Sequence, residues 1–290
     1  LLGRALLYGI ADAGQTRNGP RRYEVMEGLE RLVAATADDQ NPALSRWHHT
    51  AELAQARFVS ATATGGFAQR VPGHESQWFP IPDDISDEQA VLGDPFAVSL
   101  HAILKAPPPP TGSVLVYGCG TLGLLAIAIL RNIYPQLHIL AVARYRHQAE
   151  LAQQMGADRV LDHQPTQALV RNVATETGSR LNEPWMGLPM LNGGVDVVYD
   201  TGSSAGTMEV GLRVTRSFGT VVIIGVEPAR SFEWTPLYFK EINIVGSNGF
   251  GIEEGGGQQK HAMQWDFHFI QTRSLDVTPI ITQRFGLRGC

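Results

Sequence analysis

Three glycines at the end of an apolar segment are the residues whose spacing most directly suggests a chemical role. Gly118, Gly120 and Gly123 follow the pattern G-x-G-x-x-G, after a predicted strand at residues 114–117 and before a predicted helix at residues 122–131. In this setting the first glycine permits a tight turn and the second lets a pyrophosphate approach the backbone at the positive end of the helix. The third allows close packing of helix on strand. The pattern predicts a dinucleotide-binding loop.

Two arginines follow the next predicted strand, where a dinucleotide places its adenosine ribose. That strand, residues 137–143, ends in Ala143, 20 residues after Gly123. A carboxylate about here would bond the ribose 2′-hydroxyl of NAD. Arg144 and Arg146 follow instead, and guanidinium groups can donate paired hydrogen bonds to a 2′-phosphate. We therefore expect NADP, with NAD still possible; two solvated arginines at a strand end are the alternative.

Cysteine is scarce, which limits metal and thiol chemistry. The two cysteines, Cys119 and Cys290, are too few for a disulfide framework or a cysteine-rich zinc site. Cys119 lies inside the glycine loop without a neighbouring His or Asp in the sequence, so we interpret it as a small packed side chain rather than a nucleophile. Asp94 precedes Pro95, a pattern typical of a helix N-cap followed by a first-turn proline.

The elements that must position these residues alternate between strand and helix. After a proline-rich break at residues 107–110, apolar side chains recur with periods of 2 and 3.6 in turn. The predicted strands are residues 114–117, 137–143, 160–161, 195–199, 220–224 and 242–245. The predicted helices are residues 122–131, 147–155, 166–177, 208–214 and 261–271. This alternation predicts an α/β fold with a doubly wound parallel sheet of the Rossmann type.

The flanking segments are less regular. Residues 25–33 carry apolar side chains at helical spacing, and residues 67–71 and 78–81 have the pattern of short strands. Ser86 with Gln89 forms a capping-box pattern that opens a helix. Residues 255–257, all glycine, predict a loop, and residues 277–282 predict a last strand that returns to the N-terminal part.

Composition and charge exclude several functional classes. The 290 residues are 43% hydrophobic and 18% charged, as in ordinary globular proteins. The net charge of −5 comes without a basic run, which argues against nucleic acid as a partner. Without an apolar run near ~20 residues or a signal-peptide pattern, we expect no membrane attachment and a cytoplasmic location. The chain begins at Leu1 without a Met, so we expect missing segments at both ends.

Several short segments, including the glycine loop, occur in the order that is typical of one known protein family. They are residues 65–68, 79–83, 94–102, 118–123, 155–158, 195–200, 219–222, 225–226, 238–241 and 282–285. In these segments the sequence resembles the medium-chain dehydrogenase/reductase superfamily, in particular its zinc-dependent alcohol and polyol dehydrogenases. The resemblance implies a mainly β, barrel-like catalytic domain at 1–106, a Rossmann domain at 107–271 and a return to the catalytic domain at 272–290. It also implies a homo-oligomer, a dimer or a tetramer.

The same resemblance assigns roles to individual residues. Asp94 occupies the position where relatives place a metal-binding Glu or Cys, and Arg284 is similar to an arginine that lines the cleft. These two are the predicted catalytic residues, with a helix N-cap and a surface cation as the alternatives. The predicted cofactor-binding residues are Gly118, Gly120, Thr121, Leu122, Gly123, Ala143, Arg144, Arg146, Thr201, Gly225 and Val226.

The sequence departs from this family at the zinc. Relatives bind catalytic zinc through a Cys and a Gly-His-Glu motif well before the cofactor loop, and many carry a second zinc on a four-cysteine lobe. His74 and Glu75 follow Gly73 as in that motif, but His74 lies only 44 residues before Gly118. Zinc is therefore expected from the family while its ligands are absent here, and no metal-binding residue is predicted.

Together these features predict an NAD(P)-dependent oxidoreductase that moves a hydride between a nicotinamide cofactor and a small alcohol or carbonyl substrate. A degenerate homologue that binds the dinucleotide without turnover is one alternative. A methyltransferase with the same glycine loop is another, disfavoured by the segments after Val195.

Overall fold

The computed structural model describes residues 5–7, 78–185, 187–225, 231–255, 257–273 and 275–285. Its strands are β1 Ala5–Leu7, β2 Trp78–Pro80, β3 Ser113–Tyr117, β4 His138–Ala143, β5 Arg159–Asp162, β6 Arg180–Asn182, β7 Met190–Asn192, β8 Val195–Asp200, β9 Thr215–Ile223, β10 Asn243–Gly246, β11 Ile252–Gly255 and β12 Gln258–His261. Its helices are α1 Asp87–Ala90, α2 Gly93–Lys105, α3 Thr121–Ile133, α4 Arg146–Gln154, α5 Thr166–Thr177, α6 Ala205–Val214, α7 Thr235–Lys240 and α8 Ala262–Arg273. A 3₁₀ helix follows at Thr278–Ile280.

A six-stranded sheet forms the centre of this fold. Its strand order is β10-β9-β8-β3-β4-β5, and every neighbouring pair is parallel. The chain builds outward from β3 to one edge, then returns to β8 on the other side of β3. This is the Rossmann order, so the predicted doubly wound sheet is confirmed. The order reverses between β3 and β8, and ligands bind in the crevice outside the carboxyl ends of the strands at such a point.

Helices cover both faces of the sheet, which explains why its central strands are apolar along their whole length. On one face β3 and β4 pack with α2, α3 and α4 in a cluster that includes Phe96, Leu125 and Ile139. On the other face the strands pack with α5 and α6 through residues such as Leu169, Val173 and Leu212. The glycine loop is thus held between two well-packed layers.

Several element boundaries differ from the sequence predictions. Asp94 is not an N-cap: α2 begins at Gly93 with Leu92 as its N-cap, and the Phe96 N–H donates to the Leu92 carbonyl at 2.9 Å. That bond starts the helix before Asp94, which lies in its first turn. In contrast, Ser86 and Gln89 form the predicted capping box at α1.

The predicted last strand at residues 277–282 is also wrong. A 3₁₀ helix occupies Thr278–Ile280 instead. Asp276 accepts hydrogen bonds from the N–H and the hydroxyl of Thr278 at 3.0 and 2.6 Å, which closes a local turn. Pro279 lacks the N–H that a strand partner would need.

Short hairpins escaped the sequence analysis. β6 pairs with β7, and β11 pairs with β12, so that Gly255 of the predicted loop is the last residue of β11. In the N-terminal part the structure describes one antiparallel pairing, that of β1 with β2. The predicted helix at 25–33, the strand at 67–71 and most of the predicted barrel-like domain lie outside the described residues. No helix in the described part of the chain is long and apolar enough to span a membrane.

Candidate functional site

The glycine loop lies at the carboxyl end of β3, where the strand order reverses. Gly118 has a φ of +97°, a conformation that side-chain-bearing residues rarely adopt. A Cβ built on Gly120 meets nothing within 4 Å, so the backbone is open to a ligand there. A Cβ on Gly123 would lie 1.8 Å from the Gly118 carbonyl oxygen, which allows only glycine. The three glycines have the geometry that their spacing predicts.

The first turn of α3 supplies hydrogen-bond donors beside this open backbone. The first N–H groups of a helix have no partner within it. Gly120 is the N-cap of α3 and has no side chain to cap them. The amides of Thr121, Leu122 and Gly123 follow directly. This arrangement is suited to an anionic pyrophosphate at the positive end of the helix dipole.

Thr201 holds the glycine loop from the neighbouring strand end. Its Oγ1 lies 2.9 Å from the Tyr117 carbonyl oxygen and 3.1 Å from that of Gly118, and it donates to these acceptors. Its N–H also donates to the Tyr117 carbonyl at 3.0 Å. The same Oγ1 would lie 2.5 Å from a Cβ on Gly118. These contacts are with the loop itself, so Thr201 shapes the site from behind.

Asp200, which the sequence analysis did not select, organises the turn that carries Thr201. Its Oδ1 accepts from the N–H groups of Gly202 and Ser203 at 3.0 and 2.8 Å. Its Oδ2 accepts from the Thr207 hydroxyl at 2.7 Å. The signal that could have found it is an acidic residue that ends an otherwise apolar, buried strand, because such a charge must be paired.

Gly225 lies on the other side of Thr201, just beyond β9. A Cβ there would lie 2.4 Å from the Thr201 carbonyl oxygen, so the two strand ends approach as closely as glycine allows. The Ile224 N–H, one residue earlier, donates to the Asp200 carbonyl at 2.9 Å. Val226 lies outside the described residues. The structure therefore brings Thr201, Gly225 and the glycine loop together at the carboxyl ends of the strands.

The two predicted phosphate-binding arginines differ in their surroundings. Ala143 ends β4 in the core, and the exposed Arg144 follows, with its guanidinium carbon 5.7 Å from the centre of the Tyr145 ring. Arg146 donates to Glu150 at 2.8 Å, one helical turn away, with its side chain 93% exposed. Arg144 is thus the arginine directly at the strand end, whereas Arg146 already has a carboxylate partner.

Beside Arg144, Tyr117 and His163 meet across the carboxyl ends of β3 and β5. The Tyr117 hydroxyl lies 3.2 Å from His163 Nδ1. The His163 N–H donates to the Ala143 carbonyl at 2.8 Å. Burial, with a smaller effect of the Asp200 charge, raises the pKa of Tyr117 to about 12. Tyr117 therefore keeps its proton at neutral pH.

Cys119 is buried beneath the glycine loop. Its thiol points to the Val142 carbonyl at 3.4 Å, and burial raises the pKa of Cys119 to about 12. A thiol that keeps its proton is a poor nucleophile. The interpretation of Cys119 as a packed side chain is confirmed.

Asp94 lies in the first turn of α2, where its Oδ1 is buried and has no hydrogen-bond partner within the described part of the chain. Burial raises the pKa of Asp94 to about 6. The other predicted catalytic residue, Arg284, lies at the surface, where its Nε and Nη2 are 2.8 and 2.7 Å from Glu88 Oε1 in α1. The contacts of Arg284 therefore match the surface-cation alternative more closely than a role beside Asp94.

A stripe of polar side chains on α2 runs from Asp94 toward the end of β10. His101 Nδ1 lies 2.6 Å from Glu253 Oε1 on β11. One turn further, the Lys105 ammonium donates to the Gly246 carbonyl at 2.6 Å. The sequence analysis missed Glu253, because its partner lies 152 residues away and the local sequence does not indicate the pairing.

The described residues do not fit a zinc ion. Within the ranges that the structure describes, no group of three or more His, Cys, Asp or Glu side chains could hold a metal ion. Structural zinc needs four ligands and catalytic zinc at least three. His74 and Glu75 lie outside the described residues.

Comparison with protein families and curated proteins gives a consistent result. The model of the family described as zinc-binding dehydrogenase matches residues 121–264. A sorbitol dehydrogenase of Arabidopsis thaliana is 25% identical over 91% of this chain and 69% of its own length. An L-threonine 3-dehydrogenase of Photorhabdus laumondii is 28% identical over 79% of this chain, which spans only 60% of that relative's length.

A search of solved structures supports the fold. An alcohol dehydrogenase of Escherichia coli CFT073, crystallised with the cofactor NADH, superposes with a TM-score of 0.63 and 18% sequence identity. The match covers 78% of this chain and 60% of that one. At this identity the likeness shows the shared architecture alone.

Proposed function

We propose that this chain, whose residues 121–264 match the zinc-binding dehydrogenase family, is an NAD(P)-dependent oxidoreductase of the medium-chain dehydrogenase/reductase superfamily that acts on a small alcohol or carbonyl compound. The observation that carries this proposal is the open backbone at Gly120 beside the uncapped start of α3. It lies where the Rossmann strand order reverses. The relatives named for sorbitol and L-threonine support an alcohol as the substrate.

The protein's own residues would bind and orient the dinucleotide in two halves. The amides that begin α3 bind the pyrophosphate, and the carboxyl end of β4 receives the adenosine ribose. The carboxyl ends of β8, β9 and β10 receive the nicotinamide half. When bound, the nicotinamide ring accepts or donates the hydride. Tight packing of Thr201 against Gly118 and Gly225 keeps this edge of the sheet rigid.

Asp94 and Arg284 remain the proposed catalytic residues, with unequal support. Asp94 is supported by its buried Oδ1, which has no partner among the residues that the structure describes and which a ligand could satisfy. Arg284 is supported by the family resemblance alone. The described residues do not supply the ligands of a zinc ion, so the proposed roles involve no zinc. On the same resemblance we propose domain boundaries at residues 106/107 and 271/272 and a homo-oligomeric state. On composition we propose a cytoplasmic location.

Turnover is tested with NADP⁺ or NAD⁺ and a panel of polyols and secondary alcohols, by following the absorbance of the reduced cofactor. Reduction of the cofactor supports the proposed enzyme. A protein that binds the cofactor but catalyses neither alcohol oxidation nor carbonyl reduction, even with added zinc, would favour a degenerate homologue instead. Tight binding of radiolabelled S-adenosylmethionine would favour a methyltransferase.

The cofactor preference has a sharper test. We expect NADPH to bind more tightly than NADH, and Arg144→Ala to weaken NADPH binding roughly tenfold or more while NADH barely changes. The reason is that a charge-assisted hydrogen bond to the 2′-phosphate is worth about 1.5–3 kcal/mol. Fluorescence titration of both cofactors measures this.

Arg159→Ala is the matched control, since it removes one exposed, ion-paired arginine from the start of β5. This position is at the amino ends of the strands, whereas Arg144 follows the carboxyl end of β4. Arg159→Ala should leave both affinities unchanged. Equal affinities in the parent, or a parallel loss of both cofactors in Arg144→Ala, would contradict the role of Arg144.

A further inference from the structure

The stripe on α2 places an imidazole–carboxylate pair next to the nicotinamide half of the proposed cofactor site. Asp94, His101 and Lys105 follow at helical spacing on one side of α2. Lys105 reaches the Gly246 carbonyl at the carboxyl end of β10, at 2.6 Å. His101 therefore lies one helical turn before Lys105, which contacts the end of the sheet that receives the nicotinamide in our proposal.

Glu253 holds this imidazole in one orientation. Its side chain is only 10% exposed, and its Oε1 lies 2.6 Å from His101 Nδ1. The Trp265 indole N–H donates to the Glu253 carbonyl at 3.0 Å, and the Gly251 N–H approaches Oε1 at 3.4 Å. A carboxylate so placed accepts a hydrogen bond from Nδ1, so that in the neutral ring the lone pair lies on Nε2.

Other ionisable groups lie on the pair's own helix and on neighbouring elements. Lys260 of β12 lies opposite Glu253 in the hairpin register, with its ammonium 4.8 Å from the Trp265 ring centre. Asp94 and Lys105 flank His101 on α2 itself. Asp266 of α8 approaches the start of α2, 3.2 Å from a Cβ built on Gly93. Glu253 is the group in direct hydrogen-bond contact with the His101 ring.

We propose that His101 is a proton-relay residue of this enzyme and that Glu253 is its positioning residue. The inference rests on the proposed function. In alcohol oxidation the C–H electron pair leaves as hydride to the nicotinamide, the O–H bond breaks, and the carbonyl double bond forms. The released proton passes to Nε2 of His101, directly or through water, and from there to solvent. The His101 side chain is 21% exposed, so part of the ring is accessible to solvent.

The decisive variant is His101→Asn. The asparagine amide can donate to Glu253 much as Nδ1 does, but it cannot accept the proton. We expect kcat/KM for alcohol oxidation to fall about tenfold or more near neutral pH, and the loss to shrink at high pH, where hydroxide can take the proton. Glu253→Gln should lower kcat/KM in the same neutral pH range, but by a smaller factor. Affinity for NADPH should stay within about twofold of the parent.

His138→Asn is the matched control, because His138 begins β4 at the amino ends of the strands, away from the proposed site. It should leave the pH profile of kcat/KM unchanged. A His101→Asn variant with the parent's pH profile would overturn the relay, as would an equal loss at every pH, which is the signature of a merely structural role. If His101→Asn fails to fold, Glu253→Gln decides by the same profile. A parent that binds dinucleotide but oxidises no alcohol overturns the proposed function, and this inference with it.

Discussion

At the scale of single residues, the cofactor loop depends on a hydroxyl that need not touch the cofactor. Thr201 Oγ1 donates to the loop carbonyls of Tyr117 and Gly118. We expect Thr201→Val to lose about 1 kcal/mol of unfolding free energy, because it leaves these acceptors without a side-chain donor in the same volume. NADPH affinity should fall a few-fold as the loop loosens. Thr201→Ser, which keeps the hydroxyl, is the control and should lose less; a Thr201→Val variant that is as stable as the parent and binds NADPH as tightly would contradict this role of the hydroxyl.

Residue-level prediction succeeded where one residue type fits one backbone geometry. The positive φ of Gly118 and the 1.8 Å approach at Gly123 exclude any side chain, so the spacing alone carried the information. It failed where partners come from distant parts of the chain. Glu253 meets His101 and Asp200 organises the turn beside Gly118, and neither contact has a local signature in the sequence.

At the scale of elements, β9 contains a strained residue that invites a stability test. Phe218 has a φ of +60° and is 64% exposed, so its ring gains little packing for its left-handed backbone. We expect Phe218→Gly to raise the unfolding free energy by about 0.5–1 kcal/mol, after the greater chain entropy of glycine is counted. The melting temperature should rise by about 2 °C. Phe218→Ala keeps the strained Cβ and should show no such gain; similar melting of both variants would contradict the argument.

Elements with strong local signals were predictable almost to the residue. α5 spans the predicted residues 166–177 because Gly178, with a φ of +62°, ends it in the left-handed conformation. The three-residue strands β6 and β7 are too short to show a period in the sequence. The predicted strand at 277–282 failed because the Asp276 turn and Pro279 outweigh its apolar pattern.

At the scale of the whole molecule, topology followed from the alternation of periods. Parallel neighbours need helical crossovers, so the strand–helix repeat from residue 113 onward led to the sheet that the structure shows. Packing between distant helices did not follow. The contact of α8 with the start of α2 places Asp266 fully in the interior, although its neighbours in sequence, aromatic and polar alike, give no sign of it.

That burial makes the stability of the whole molecule depend on pH in an unusual direction. Neither Asp266 carboxylate oxygen has a hydrogen-bond partner among the described residues, and burial raises the pKa of Asp266 from 3.8 to about 8. Between these two values the folded protein binds a proton that the unfolded chain releases. The free energy of unfolding therefore falls as the pH rises from about 4 to about 8. Asp94, with a pKa of about 6, adds to the same trend between about 4 and 6.

Asp266→Asn removes the ionisation at nearly constant shape. We expect the variant to be more stable than the parent at pH 8 by an amount on the order of a few kcal/mol, with the advantage shrinking toward pH 4. Denaturant titrations at several pH values measure the difference. Glu254→Gln removes an exposed carboxylate from the adjacent hairpin and should leave the slope unchanged. If Asp266→Asn keeps the parent's pH slope, the carboxyl group ionises without cost, and its buried position cannot be what couples folding to pH.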